Sequence, residues 1–200
     1  ADGNAIESTI NRFRQALGAN NGVGGSFVAG RDGVPVVSED PHPPDFFNTT
    51  SPRGVVFSTP GSRLKVSGAA GTPAFLFGDV TAQQWGLIEF ASFSPDKIFA
   101  PIGDTRLEVK FFVPGTNVSA VSKGFGAVFV DVDKADSSFL EYYGVDGQLI
   151  ARQFVSPTGV RSKGLTFTGI VASQPIARVF LNDSPNGHLG NLRAGQAQLL

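Results

Sequence analysis

From Arg53 onward the chain is written in short apolar runs broken by Gly, Pro, Asn and Asp, and this pattern constrains the fold more than any other feature. In "RLEVKFFV", Leu107, Val109, Phe111 and Val113 share one face of an extended chain, while Arg106, Glu108, Lys110 and Phe112 share the other. Strand side chains alternate with period two, so this is the mark of a half-buried antiparallel strand. Roughly eleven such runs succeed one another, from "RGVVFST" to "IARVFLN", at the spacing of a sandwich or barrel. Asp146-Gly147 between two of them is a hairpin turn signal. Helices do not alternate with the strands, which argues against a parallel α/β sheet. The expectation is an all-β fold, an antiparallel β-sandwich of jelly-roll type.

The first 50 residues read differently. "NAIESTINRFRQAL" spaces Ile6, Ile10, Phe13 and Leu17 for a short amphipathic helix that Gly18 ends. A Gly-rich connector comes next, and then "VPVVSEDPHPPDFFNTTSP", which has too much proline for a central strand. The chain is therefore expected to divide into a helix and extended arm over residues 1–50 and a sandwich over residues 51–200. A formal net charge of −1 leaves no electrostatic footprint for nucleic acid. No apolar run approaches the roughly 20 residues of a membrane-spanning helix. Cys and Met are both absent. Without Cys there is no disulfide or thiolate, and the start at Ala1 reads as a secreted chain from which a signal peptide has been cut.

"DFFNTTSPRGVVFSTPG", "FSPDKIFAPIG", "VKFFVPGT", "GFGAVFVDVD" and "GLTFTGIV" with "IARVFL" occur in one order along most of the chain. In this the chain resembles a family of secreted, single-domain bacterial proteins of uncharacterised function. It departs from that pattern where Gly30-Arg31 runs straight into Asp32-Gly33-Val34-Pro35, a point at which relatives carry a longer segment. More loosely, "FLEYYGVDGQLIARQFV" together with "GLTFTGIVASQPIARVFL" is similar to galactose-binding-like jelly-roll domains. That resemblance implies glycan or surface binding and a structural calcium.

Candidate sites are few. Asp131, Asp133 and Asp136 form D-x-D-x-x-D where a strand runs into a loop, and the alternation sets Asp131 and Asp133 on the face of Phe125, Ala127 and Phe129. Carboxylates and carbonyls gathered at such a strand end suit calcium, as a staple rather than a catalytic ion, or else they only finish the strand as a solvated strand-to-loop turn. His42 and His188 sit in separate loop contexts and no G-x-S-x-G elbow is present, so a Ser-His-Asp triad has no frame. Among Glu89, Glu108 and Glu141 no acid–base pair stands out. Trp85 beside Gln83 and Gln84 in "TAQQWGL" suits a sugar-stacking platform, or else caps the core edge. Asn48-Thr49-Thr50 and the "NVS" at Asn117 match the N-glycosylation pattern. Val34, Val36 and Val37 could pair with the sheet edge of a neighbour, or the arm could fold back over a face of its own sandwich. The reading is a secreted, non-catalytic surface or matrix protein, a fibre subunit in one form, that self-assembles through its N-terminal arm. The alternative is a module that binds extracellular polysaccharide.

Overall fold

The computed structural model describes residues 3–19, 43–66, 99–159, 164–182 and 196–199. Two five-stranded antiparallel sheets dominate. The first is ordered β1 (Val55–Ser58), β4 (Arg106–Phe111), β9 (Arg178–Asn182), β6 (Phe139–Tyr143) and β7 (Leu149–Phe154). The second is ordered β2 (Arg63–Val66), β3 (Phe99–Ile102), β10 (Gln196–Leu199), β5 (Ser122–Val130) and β8 (Leu165–Ile176). Among the described residues no helix is long and apolar enough to cross a membrane.

Nine of these strands coincide with runs expected from the sequence. The expected runs "PAFLFGD" and "GLIEFASF" lie outside the described residues, and β10 is not among the expected runs, because Gln196, Ala197, Gln198 and Leu199 carry little apolar pattern. The inner faces of both sheets meet in one core that includes Phe57, Leu107, Val109, Phe125, Phe129, Leu140 and Val179. Tyr142 is fully buried there, and its hydroxyl donates to the Phe125 carbonyl at 3.3 Å, which satisfies the one polar atom that the ring carries inside.

Helix α1 (Gly3–Leu17) lies on the outer face of the second sheet. Ile6 and Ile10 join Val128, Val130 and Leu165 in a second apolar cluster, and Phe13 meets Phe167 at 5.0 Å between ring centroids. β5 is therefore buried on both faces, which is why its burial is continuous from Gly124 to Val130 rather than alternating. Two of its glycines make the room. A Cβ on Gly124 would stand 2.7 Å from both the Ile170 carbonyl oxygen and Leu17 Cδ2, and one on Gly126 would meet the Phe167 ring at 2.6 Å. Gly126 also pairs directly with Gly169, so the sheet is thinnest where the aromatic ring lies across it.

The boundary at residue 50 thus divides groups that pack together. Phe46 and Phe47 in the short α2 (Phe46–Thr49) belong to the core between the sheets, and α1 covers the second sheet of its own chain. Removing the helix would expose Val128, Val130, Leu165 and Phe167. Ile10→Ala is expected to cost about 2–5 kcal/mol, the range for truncating a buried aliphatic side chain. Urea denaturation of the full chain measures this, and a change below about 1 kcal/mol would show that the helix contributes little to the cooperative core.

Candidate functional site

Strand β5 ends at Val130, one residue before the acidic motif. Asp131 takes the left-handed conformation at φ 57°, and its N–H donates to the Gly164 carbonyl at 2.9 Å. This turn reverses the alternation, so Val132 joins Phe125, Ala127 and Phe129 in the core and Asp133 falls out of phase. The expectation that Asp131 and Asp133 continue the Phe125 face is therefore corrected. Asp136 is also left-handed, at φ 59°, and exposed. Among the described residues no three His, Cys, Asp or Glu side chains gather where they could hold a metal ion.

Asn48 lies in α2, only 3% exposed, and its Nδ2 donates to the Thr116 carbonyl at 2.8 Å while its own carbonyl accepts from Gly115 N–H at 2.9 Å. It ties α2 to the loop after β4 and leaves no space for a glycan. Asn48 is a structural group, and of the two sequons Asn117 is the one that reaches solvent. Thr49 and Thr50 are exposed, and the Thr49 hydroxyl donates to the Asp45 carbonyl. Trp85, Gln83, Gln84, Val34, Val36, Val37, Glu89, His42 and His188 lie outside the described residues.

The densest side-chain chemistry lies on the outer face of the first sheet. Strand register sets Ser58, Glu108, Phe180, Glu141 and Arg152 in one row across β1, β4, β9, β6 and β7. Lys110, Arg178 and Tyr143 form the next row across β4, β9 and β6. Glu108 accepts from the Ser58 hydroxyl at 3.1 Å and pairs with Lys110 at 3.0 Å and Arg178 at 3.6 Å. Glu141 pairs with Arg152 and accepts from the Tyr143 hydroxyl at 2.7 Å. The guanidinium of Arg178 lies over Tyr143 at 4.7 Å and over Phe180 at 5.2 Å, and that of Arg152 lies over Phe139 at 4.9 Å. Phe139 meets Phe154 edge-on at 5.8 Å, and Tyr143 meets Phe180 likewise at 5.7 Å.

Charge is set by this geometry. Desolvation works against the charged form of Glu141, but the Tyr143 hydroxyl and Arg152 together outweigh it and hold the carboxyl below its ordinary range. The hydrogen bond to Glu141 raises the Tyr143 phenol in turn. A general acid for glycoside hydrolysis needs a raised carboxyl, so Glu141 is tuned in the opposite direction. Sequence alone presents Glu108 and Glu141 one at a time. The signal that links them is the strand order, which places them on either side of Phe180.

One open groove, of about 380 Å³, lies at the other side of the molecule between α1 and β8. Ile6, Leu165 and Phe167 form its apolar lining, with the hydroxyls of Thr9, Thr158 and Thr166. No residue expected to form a site lines it. The chain matches no protein-family model, and comparison with curated proteins and with solved structures finds no match either.

Asn48→Ala removes the amide donor from Thr116 and is expected to cost about 1–3 kcal/mol, read from the urea midpoint, whereas Asn117→Ala should leave that midpoint in place. Acid probes a different contact. Arg106 donates from Nε and Nη2 to the two oxygens of Asp104, at 3.0 and 2.9 Å, and these bonds lower the Asp104 carboxyl to about 2. A lowered folded-state value contributes stability that is complete above the ordinary carboxylate range and disappears as pH falls through the folded value. Asp104→Asn should therefore melt below the unchanged protein at neutral pH, with the gap closing from about pH 4 downward. A gap of constant size would show that the pair contributes nothing through charge.

Proposed function

We propose that the protein is a secreted, non-catalytic surface or matrix protein, built as a jelly-roll-type sandwich, that self-associates outside the cell. The observation that carries this reading is the exposed apolar surface of the β6–β7 hairpin, at the border of the sheet that bears the Arg, Tyr and Phe network. Val145 is 76% exposed, Leu149 50% and Phe154 47%. Surfaces that bind other proteins are enriched in Tyr, Phe and Arg. The helical part of the arm is already engaged with its own chain, and Val34, Val36 and Val37 lie outside the described residues, so the described surface that supports the reading is on the sheet. The calcium expectation has no gathered ligand set to rest on among the described residues, and the proposal does without it.

A sheet face that carries the rings of Phe139, Tyr143 and Phe180 also favours a second reading, a module for extracellular polysaccharide. Here the guanidiniums over the rings would have to be displaced by the sugar. Retention in a polysaccharide affinity gel tests it, with Tyr143→Ala and Trp85→Ala expected to abolish the retardation if it holds.

Sedimentation velocity and negative-stain electron microscopy over a wide concentration range test the first reading. Oligomers or filaments that grow with concentration are expected. A monomer throughout the range would refute self-association and leave the polysaccharide reading.

A further inference from the structure

The two borders of the first sheet are finished differently. At β1 the backbone of the preceding segment engages part of the edge, since Phe57 N–H donates to the Pro44 carbonyl at 2.9 Å. At the other border, β7 has one strand partner among the described residues, β6. Val155 N–H donates to the Ser138 carbonyl at 2.9 Å, which fixes the phase of the β6–β7 ladder. In an antiparallel pair, hydrogen-bonded and non-hydrogen-bonded positions alternate. Val155, Gln153 and Ala151 therefore turn their N–H and C=O groups toward β6, and Phe154 and Arg152 turn theirs away, toward the edge. Natural sheets usually guard such an edge with Lys, Pro or a bulge. The bulge here is in β7 itself, where Ile150 is the extra residue opposite Tyr142 and Tyr143, so it guards only the hairpin end of the edge, and Arg152 is drawn onto Glu141 and Phe139.

A second copy of the same strand fits this edge in few ways. A two-fold axis through Arg152 sets two guanidiniums opposite each other, a like-charge pair. An axis through Phe154 needs the Ser156 backbone, whose carbonyl already accepts from the Thr166 hydroxyl at 3.0 Å. An axis through Ala151 runs into the register shift of the bulge. An axis through Gln153 sets Arg152 of each copy opposite Phe154 of the other. The two edge-facing residues then exchange their backbone groups, and each guanidinium lies beside an aromatic ring, a complementary pairing.

We propose that two copies of this chain join through β7, antiparallel about a two-fold axis at Gln153, so that their first sheets continue into one ten-stranded sheet. This rests on the self-association reading and adds the edge, the register and the symmetry.

The chain has no cysteine, so one introduced thiol reports on one position. In this register Gln153 faces its own copy as a non-hydrogen-bonded pair about 4.5 Å apart at Cα, within disulfide reach, while Arg152 and Phe154 stand beyond it. Gln153→Cys of the full chain, treated with copper–phenanthroline, is expected to form disulfide dimer in several-fold excess over Arg152→Cys and Phe154→Cys. Independently, Phe154→Pro removes the N–H that faces the edge and leaves the ladder to β6 intact. It should weaken association by roughly ten- to a hundred-fold with an unchanged circular dichroism spectrum. Equal cross-linking at 152, 153 and 154 would overturn the register and, with association of Phe154→Pro unchanged, the edge as well, while self-association would stand. A wild-type chain that stays monomeric at every concentration would overturn both.

Discussion

The second sheet has an apolar outer face, and much of the molecule is arranged to cover it. β5 turns Phe125, Ala127 and Phe129 to the inter-sheet core and Val128 and Val130 to the outside, and an uncovered outer row would be an aggregation surface. Helix α1 supplies the cover with Ile6, Ile10 and Phe13. Close approach of a helix needs a thin sheet, which Gly124, Gly126 and Gly169 provide at the point where Leu17 and Phe167 lie. Sequence, packing and topology meet here, since the N-terminal segment has to lie over the late strand β8 before the outer face of β5 is dry.

The first sheet solves the same problem by other means. Its outer face carries no helix among the described residues, and its apolar rings are shielded by guanidiniums that are themselves pinned by carboxylates. Each exposed ion pair on such a face contributes little stability, well below the burial of one large apolar side chain. Its effect is rather on what the face can meet. Phe139, Tyr143 and Phe180 are kept from forming one continuous apolar patch, and the network thins toward β7, where Leu149 and Phe154 are most exposed. The contrast between a β1 border engaged at Phe57 and this one makes the sheet asymmetric as an interaction surface.

The strands were legible because Leu107, Val109 and their equivalents alternate cleanly, and the helix because four apolar residues keep helical spacing. β5 was legible as a strand but not as a two-sided one. Its "GFGAVFV" reads as alternation until the glycines are taken as signs of close approach, and that reading needs the helix in place. The Asp131 turn was missed for a related reason. Period two holds only while the backbone stays extended, and one left-handed residue transfers the core position from Asp131 to Val132. The acidic motif was therefore visible in composition but misplaced in space. Glu108 and Glu141 are 33 positions apart in sequence and become neighbours only through β9, so no local pattern could join them.

Symmetry limits what a β7 contact can build. A two-fold pairing is isologous and uses up the same edge on both copies, so it closes at two and cannot by itself propagate. The sheet edge and the fibre form of the reading are consequently separate claims. A fibre built on such dimers requires a second contact of different residues, on a surface that remains open after β7 is consumed. In the first sheet the β1 border is already engaged at Phe57, whose N–H is held by the Pro44 carbonyl. The segment ahead of α2, where the sequence places Val34, Val36 and Val37, is the part of the chain for which the sequence suggests such a second contact.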